Sequence, residues 1–427
     1  MVNLAVIGAG IGGCSAAYFA HKYFPKAKVT IYEMENRIGG RVLTFNDNET
    51  HSELGASFFN PINKTVCNLV KEMGLKVKKV EGSLEFAVWN GTEIIFKSSQ
   101  PMFYTMLKLL AKYKLSVPKL LLSLREANRK IKELYAIEKK PTELWELFER
   151  VGLDKWYKRP FDQILVEMGI NRKIIDDLIT PITRIIYSQN AELGGFAGLI
   201  SLLGVYNGSM YSLEEGNELL PRKLLEASGS KVELESKVNY IEKKSNGCFQ
   251  MLIGENSSVF DGVIVAAPLE GADIKFDGVS KQKCQEREYQ KIYIRLLKGV
   301  VNLKYFNLDT SSKLPSVILT SKEADPITRF SINKSTKDES WMTITSTEPI
   351  GNDFVDEVLK NRRTFLDHTW GAAYPFFKPI QKIPPTRIDN ALLYLNAIES
   401  AASSLETSTF AALQSIKIIK QQITSLN

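Results

Sequence analysis

The first forty-odd residues constrain this chain more tightly than any other stretch. Leu4–Ile7 is a short apolar run of strand type, and Gly8, Gly10 and Gly13 follow it as G-x-G-x-x-G. Ser15–Tyr23 has helical composition and Val29–Tyr32 is a second apolar run. Glu33 stands at its end, 20 positions after Gly13. Strand, glycine turn, helix, strand and acid in this order form the complete dinucleotide-binding fingerprint. Gly8 permits the tight turn, and Gly10, with Gly12 in the same loop, lets the backbone approach a pyrophosphate. Gly13 lets the helix pack close to the strand, and the helix N-terminus faces the phosphate charge. Glu33 can accept hydrogen bonds from ribose hydroxyls and would repel a 2′-phosphate.

Arg37-Ile38-Gly39-Gly40-Arg41-Val42-Leu43-Thr44 follows at once. In isolation it would be a Gly-Gly turn between two solvated arginines. Behind an intact fingerprint it resembles the R-x-G-G-R-x-x-S/T stretch of flavoproteins with two dinucleotide-binding domains, the class of amine oxidases and carotenoid desaturases. The resemblance implies FAD as cofactor, with Gly39, Gly40 and Arg41 at its site. It also implies an α/β fold, in which a Rossmann-like FAD domain of amine-oxidase type is interleaved with a substrate domain of mixed sheet plus helices.

A chain of 427 residues that is 44% hydrophobic can hold two such interleaved domains. The expected division is 1–75, 205–275 and 386–427 for the FAD-binding domain, and 76–204 and 276–385 for the substrate domain. Asn63–Gly74 reads as a helix. Ser83–Phe96 reads as a hairpin whose two-residue turn, Asn90-Gly91, takes positive φ. Met102–Ile186 is helical in pattern, with Pro118 breaking its first helix. Lys231–Lys243 alternates like a half-buried strand pair, and Asp261–Pro268 is a buried strand ending in small residues. Leu392–Glu399 is read as a strand, with a helix following from Ser400. In the flavoprotein class, by resemblance, the 261–268 strand ends over the dinucleotide and Val238 meets the adenine.

The net charge of +7 is mild, and its small clusters, Lys76–Lys79 and Arg129–Lys140, are expected on solvated faces. Weak attraction to an anionic membrane surface is the lesser reading. No nucleic-acid motif, internal repeat or stretch of membrane-span length is found. Cys14, Cys67, Cys248 and Cys284 show no C-x-x-C spacing, and none of the three histidines, His21, His51 and His368, has a metal-ligand neighbour at i+3 or i+4. A zinc or serine-triad mechanism has nothing to rest on. The first strand begins too near Met1 for a signal peptide, so the expected compartment is the cytoplasm. If the natural start lies upstream, the sequons at Asn48, Asn63, Asn90, Asn207, Asn256 and Asn333 favour a lysosomal or secretory glycoprotein.

Six stretches then agree in order along the chain: IGAGIGGCSAAY, ELGASFFNPINKTV, ITPITRIIYSQN, LEEGNELLPRKLLEAS, WGAAYPFFKP and LYLNAIESAASSLETSTFAA. Together they resemble the prenylcysteine oxidase (prenylcysteine lyase) family. Departures are Glu215 where the family has glycine, Phe376 where it often has histidine, and Ser400 where it has cysteine. The spacing from tryptophan to Tyr374-Pro375 is also one residue longer. All of these are expected near the substrate.

The resemblance implies an oxidase that cleaves the thioether of farnesyl- or geranylgeranyl-cysteine. Hydride leaves the allylic carbon beside sulfur for flavin N5, and the products are prenyl aldehyde, cysteine and hydrogen peroxide. It places Arg184 and Tyr187 on the substrate side, Gln189 near the isoalloxazine, Tyr374 in the wall facing it, and Glu399 near the pyrophosphate and ribitol. Each has a plainer reading: a surface arginine, core tyrosines, a solvated glutamine, a strand-end acid. His51 and His368 are read as ordinary polar histidines. A cationic group is expected to bind the cysteine carboxylate. The implied partners are a small isoprenoid substrate and dioxygen, with no obligate protein partner. The alternatives are a related FAD oxidase or desaturase acting on another isoprenoid, lipid or amine, and a non-enzymatic prenyl-binding escort protein.

Overall fold

The computed structural model describes residues 2–47, 50–80, 85–137, 141–206, 209–279, 286–309, 315–335 and 339–424. Asn48, Asn207, Cys284 and the side chain of Asn333 lie outside the described residues.

Asn3–Ile7 sits inside a six-stranded sheet in the order 387–389, 392–394, 262–265, 3–7, 28–32, 231–233. All neighbours are parallel except the first pair. Leu4–Ile7 and Val263–Val265 at its centre are apolar throughout because both faces are covered. The helix Ile11–Tyr23 packs on Leu219–Ser228 and on the last helix, Leu405–Thr424. A Cβ on Gly13 would fall within bonding contact of the Gly8 carbonyl, so only glycine lets this helix lie so close to its strand.

A second, seven-stranded sheet runs 359–375, 289–301, 340–346, 327–335, 317–320, 86–89, 94–97. It is antiparallel except where Val317–Thr320 meets Phe86–Trp89. The two faces separate by strand alternation. Leu297, Phe330, Met342 and Ile344 turn toward Trp89, Phe306 and the helix Asn352–Val358. The opposite face closes one side of the cavity described below. Helices Ser116–Ile137, Leu144–Arg150, Thr180–Tyr187 and Gly195–Tyr206 cover another side and merge into the main core.

Five local expectations need correction. The strand expected over Leu392–Glu399 stops at Tyr394, and Leu395–Ser400 is a 3-10 helix. Four residues, Asn90–Glu93, join the hairpin strands, and of the Asn90-Gly91 pair only Gly91 has positive φ. The Asn90 Oδ1 instead accepts from the amides of Thr92 and Glu93, so an Asx turn replaces the two-residue turn. The helix break falls at Lys114, with φ of 50°, and Pro118 lies in the first turn of Ser116–Ile137, where a missing N–H costs little. Lys231–Glu233 and Val238–Lys243 are not a pair. The first extends the parallel sheet, and the second turns off at Glu235 into a four-stranded sheet. The last helix begins at Leu405 because Ser404 and Thr407 exchange capping bonds there: the Thr407 amide donates to Ser404 Oγ and the Ser404 amide to Thr407 Oγ1.

Candidate cofactor and substrate site

Where Asn3–Ile7 ends beside Gly262–Val265, the chain opens a cavity of about 720 Å³. This is the carboxyl end of the parallel strands, where open α/β sheets bind ligands. One part is backbone-rich. Gly8 (φ 103°), Gly10, Gly12 and Gly40 line it together with Ala266, Ala267 and Pro268. The helix Ile11–Tyr23 has no side-chain cap at Gly10 and no acid in its first turn, so its amide end suits an anion. A Cβ on Gly10 would meet nothing in the protein nearer than 3.8 Å. The requirement for glycine there therefore comes from what the loop approaches, not from packing.

Glu33 is buried at the edge of this region. Its carboxylate accepts from the Ala9 amide at 2.7 Å and the Glu35 amide at 2.9 Å. Those bonds fix both oxygens and leave lone pairs for ribose hydroxyls. Val238 is buried and also lines this end. Gly39 (φ 121°) does not reach the cavity. Its amide donates to Ala9 O and holds the second glycine loop against the first. The 214–217 stretch braces the neighbouring 53–56 segment. The Asn217 amide donates to Glu53 Oε1 at 2.8 Å and its Nδ2 to Ala56 O at 2.9 Å. A glycine cradle, an anion-ready helix end and a fixed ribose acceptor fit the pyrophosphate and adenosine of FAD.

The other part is apolar. Ile131, Leu134, Phe148, Ile185, Phe196, Ile200 and Leu203 line it from the helical layer. Tyr187 and Tyr374 line the cavity too, rings edge-on with centroids 5.2 Å apart. The Tyr187 hydroxyl donates to Ser403 O at 2.9 Å. Burial pushes both phenols above their ordinary values, so both are protonated at neutral pH.

Besides Gly39, three expected contacts are absent from the cavity wall. Arg184 is 2% exposed and fully engaged elsewhere. It pairs with Asp325 at 2.7 Å and donates to Ile327 O, Thr320 Oγ1 and Asn190 Oδ1, tying its helix to the second sheet. Gln189 clamps the segment after Tyr374: its Nε2 donates to Pro375 O, and its Oε1 accepts from the Phe377 amide, each at 3.0 Å. It positions Tyr374 and does not reach into the cavity itself. Glu399, 1% exposed, pairs with the cavity-lining Arg41 and accepts from the Tyr289 hydroxyl at 2.8 Å. Three of the four departures fall outside: Phe376 is 44% exposed, Glu215 is exposed, and neither they nor Ser400 line the cavity, whereas Trp370–Tyr374, the stretch with the longer spacing, does line it. The expectation that the departures sit near the substrate is overturned for Glu215, Phe376 and Ser400 and not for the spacing. Asn63 lines the cavity and its Oδ1 accepts from the Asn60 amide, a poor place for a glycan.

Three groups not expected at the site are found here. Arg329, His368 and Glu406 all line the cavity. Burial raises the Glu406 carboxyl, against hydrogen bonds from the Thr65 and Val66 amides and the Tyr135 hydroxyl. Burial lowers the His368 imidazole, helped by Arg37. Only Glu406 had a legible local context, the helix start at Ser404.

The prenylcysteine lyase family model matches residues 96–425, and a model for an NAD(P)-binding Rossmann-like domain matches residues 6–73. Farnesylcysteine lyase of Arabidopsis thaliana is 28% identical over 98% of this chain and 88% of its own length. Prenylcysteine oxidase 1 of Homo sapiens is 28% identical over 96% and 87%. Among solved structures, a triple mutant of putrescine oxidase superposes with a TM-score of 0.67 at 14% identity, covering 100% of this chain and 99% of that one. Cyclohexylamine oxidase of Brevibacterium oxydans gives 0.67 at 14% identity, covering 99% of each.

Proposed function

This chain belongs to the prenylcysteine lyase family, and on that premise we propose that it oxidises the thioether of S-prenylcysteines. Farnesyl- or geranylgeranyl-cysteine, water and dioxygen become prenyl aldehyde, free cysteine and hydrogen peroxide. FAD, when bound, supplies the hydride acceptor and passes the electrons to dioxygen.

The observation that carries this reading is the continuity of one cavity from a glycine cradle to an apolar lobe. Gly8, Gly10, Gly12 and Gly40 would hold the pyrophosphate and Glu33 the ribose, with Val238 beside the adenine. The lobe takes the isoprenoid. Tyr187 and Tyr374 form part of the wall and exclude water from the reacting carbon. Loss of hydride from a carbon flanked by sulfur and a double bond leaves a cation that both stabilise. The reaction therefore asks the chain for placement more than for a base, and the protonated tyrosines are consistent with that.

The test is anaerobic mixing of the purified protein with farnesylcysteine, followed at the oxidised-flavin absorbance. Bleaching, then peroxide on readmission of air, is expected. A yellow protein that stays yellow would refute the substrate, and a protein purified without flavin would refute the cofactor.

An exposed apolar helix face fits delivery of such a substrate from a membrane surface. Among the described residues no helix is long and apolar enough to cross a membrane. Yet Phe103, Tyr104, Leu107 and Leu110 of the helix Met102–Tyr113 are exposed, as are Leu115 and Leu122. Lys108, Lys114, Lys119 and Arg125 in the same 102–125 stretch are exposed as well. Apolar side chains together with cations suit an anionic bilayer surface. The helix that carries Leu122 also carries Ile131 and Leu134 of the cavity wall.

A further inference from the structure

We infer that Arg329 is the receptor for the α-carboxylate of the substrate's cysteine. The inference rests on the prenylcysteine reading above and adds the group that selects the polar end.

Strand register places it. Arg329 pairs with Thr345, Thr345 with Ile294, and Ile294 with His368, forming one row across four strands. All four side chains line the cavity. The next residue, Phe330, turns the other way into the aromatic cluster. Alternation thus delivers a guanidinium to the cavity side of the sheet.

The guanidinium is uncompensated. Other inward arginines have carboxylates: Arg41 has Glu399, Arg184 has Asp325 and Arg287 has Glu270. Among the described residues Arg329 has no acidic partner. Its one side-chain hydrogen bond runs from Nη2 to Thr345 Oγ1 at 3.2 Å. Its Nε is buried with no acceptor. Burial depresses its pKa, the opposite of what a counterion would do. An arginine stays charged all the same, so the site stores a demand for an anion.

The chemistry of that anion follows from the fork. A guanidinium with free edges takes a planar, two-oxygen group, and a carboxylate matches it. The phosphates of a dinucleotide are already accounted for at the glycine cradle on the other sheet. The ligand must also bring an apolar tail, because Arg329 shares its cavity with Ile185, Ile186, Phe196 and Ile200. A prenylcysteine has both ends. Arg329 lies close enough to Tyr374 to pull against the burial that keeps its phenol protonated, so a neutral hydroxyl borders the same head-group position.

The test swaps the head group and the arginine together. Wild type, Arg329→Met and Arg329→Lys holoenzymes are mixed anaerobically with S-farnesylcysteine or with S-farnesylcysteamine, which lacks the carboxylate. Flavin content, visible spectrum and melting temperature check that each variant is folded and loaded. The expected result is that Arg329→Met weakens apparent binding of farnesylcysteine by about 10- to 100-fold. The same change should leave the cysteamine analogue nearly untouched, and Arg329→Lys should fall between. Equal losses on both substrates would mean that Arg329 serves the cofactor or the fold, and would overturn the inference. So would no loss on either. If Arg329→Met fails to load, the Lys variant with the same pair of substrates decides on the same criterion. Wild type that farnesylcysteine neither reduces nor perturbs spectrally refutes the parent reading and this one together. Wild-type bleaching without the head-group difference refutes this one alone.

Discussion

Arg41 and Glu399 form an ion pair that joins the second glycine loop to the segment just before the last helix. The carboxylate is fully enclosed, whereas Arg41 keeps some exposure toward the cavity. Burial alone would raise the Glu399 carboxyl, but Arg41 and Arg287, with bonds from Arg41 and Tyr289, hold it below the usual range. Arg287 belongs to the same network: it pairs with Glu270, donates to Asn396 O and bonds to the Tyr394 hydroxyl. Glu399 is thus a structural anchor of the cofactor region.

Glu399→Gln keeps the shape and removes the charge. It is expected to cost about 3 kcal/mol at pH 7, measured as a shift in denaturant midpoint, because a partly buried guanidinium loses its counterion. The pH dependence has a definite sign. A depressed folded pKa stabilises above the unfolded value and is lost as pH falls through the folded one. The gap between wild type and variant should hold from about pH 5 to 8 and close below about pH 4. A gap that widened on acidification would remove the pair from this role.

Gly13 and Gly10 should fail in different ways. A Cβ at Gly13 collides with the Gly8 carbonyl, so Gly13→Ala is expected to destabilise the apo fold by about 3 kcal/mol. Gly10 has ordinary φ of −72° and room for a Cβ. Gly10→Ala should therefore fold with an unchanged apo melting temperature and purify without flavin. If Gly10→Ala kept its full flavin complement, the pyrophosphate would lie elsewhere.

Tyr374 separates positioning from proton transfer. Its buried phenol is protonated at neutral pH despite the pull of Arg329 and Arg41. A phenol serving as acid or base would cost about 100-fold or more on removal, whereas Tyr374→Phe should stay within about threefold of the wild-type rate of flavin reduction. Tyr374→Ala opens the wall and should lose about 100-fold through misplacement. A large loss in the Phe variant would restore the hydroxyl to the chemistry.

The cofactor end was legible because its information is local. Spacing from Gly8 to Glu33 encodes one turn, one helix end and one acceptor, and those survive any tertiary context. The substrate end was not. Arg184 lies in a stretch that marks the family, yet its side chain is spent on Asp325 and Ile327 O, which meet it only after the sheet folds. Arg329 sits in an alternating strand where a charge ordinarily reads as solvent-facing. It faces the cavity because a second layer covers that side of the sheet, and no local pattern announces the layer. Asn90-Gly91 and Pro118 show the same limit at smaller scale. The residue types fitted the expected turn and break, but hydrogen bonding by Asn90 and the left-handed Lys114 decided the geometry.

The exposed apolar face of Met102–Tyr113 gives the last prediction. Phe103 is 65% exposed and Leu122 is equally so, far more than a solvated helix needs. Burying side chains of this size in a lipid interface contributes about 1.5–3 kcal/mol each, enough for reversible binding when several act together. The exposed Lys108, Lys114 and Arg125 add attraction that salt should screen. In sedimentation with vesicles containing phosphatidylserine, wild type should bind and release as salt rises. Phe103→Glu combined with Leu107→Glu should abolish binding while leaving flavin reduction by detergent-dispersed farnesylcysteine intact, since neither residue lines the cavity. Vesicle binding that survived the double substitution would assign the membrane contact to another face. Loss of both binding and reduction would show that this helix shapes the cavity itself.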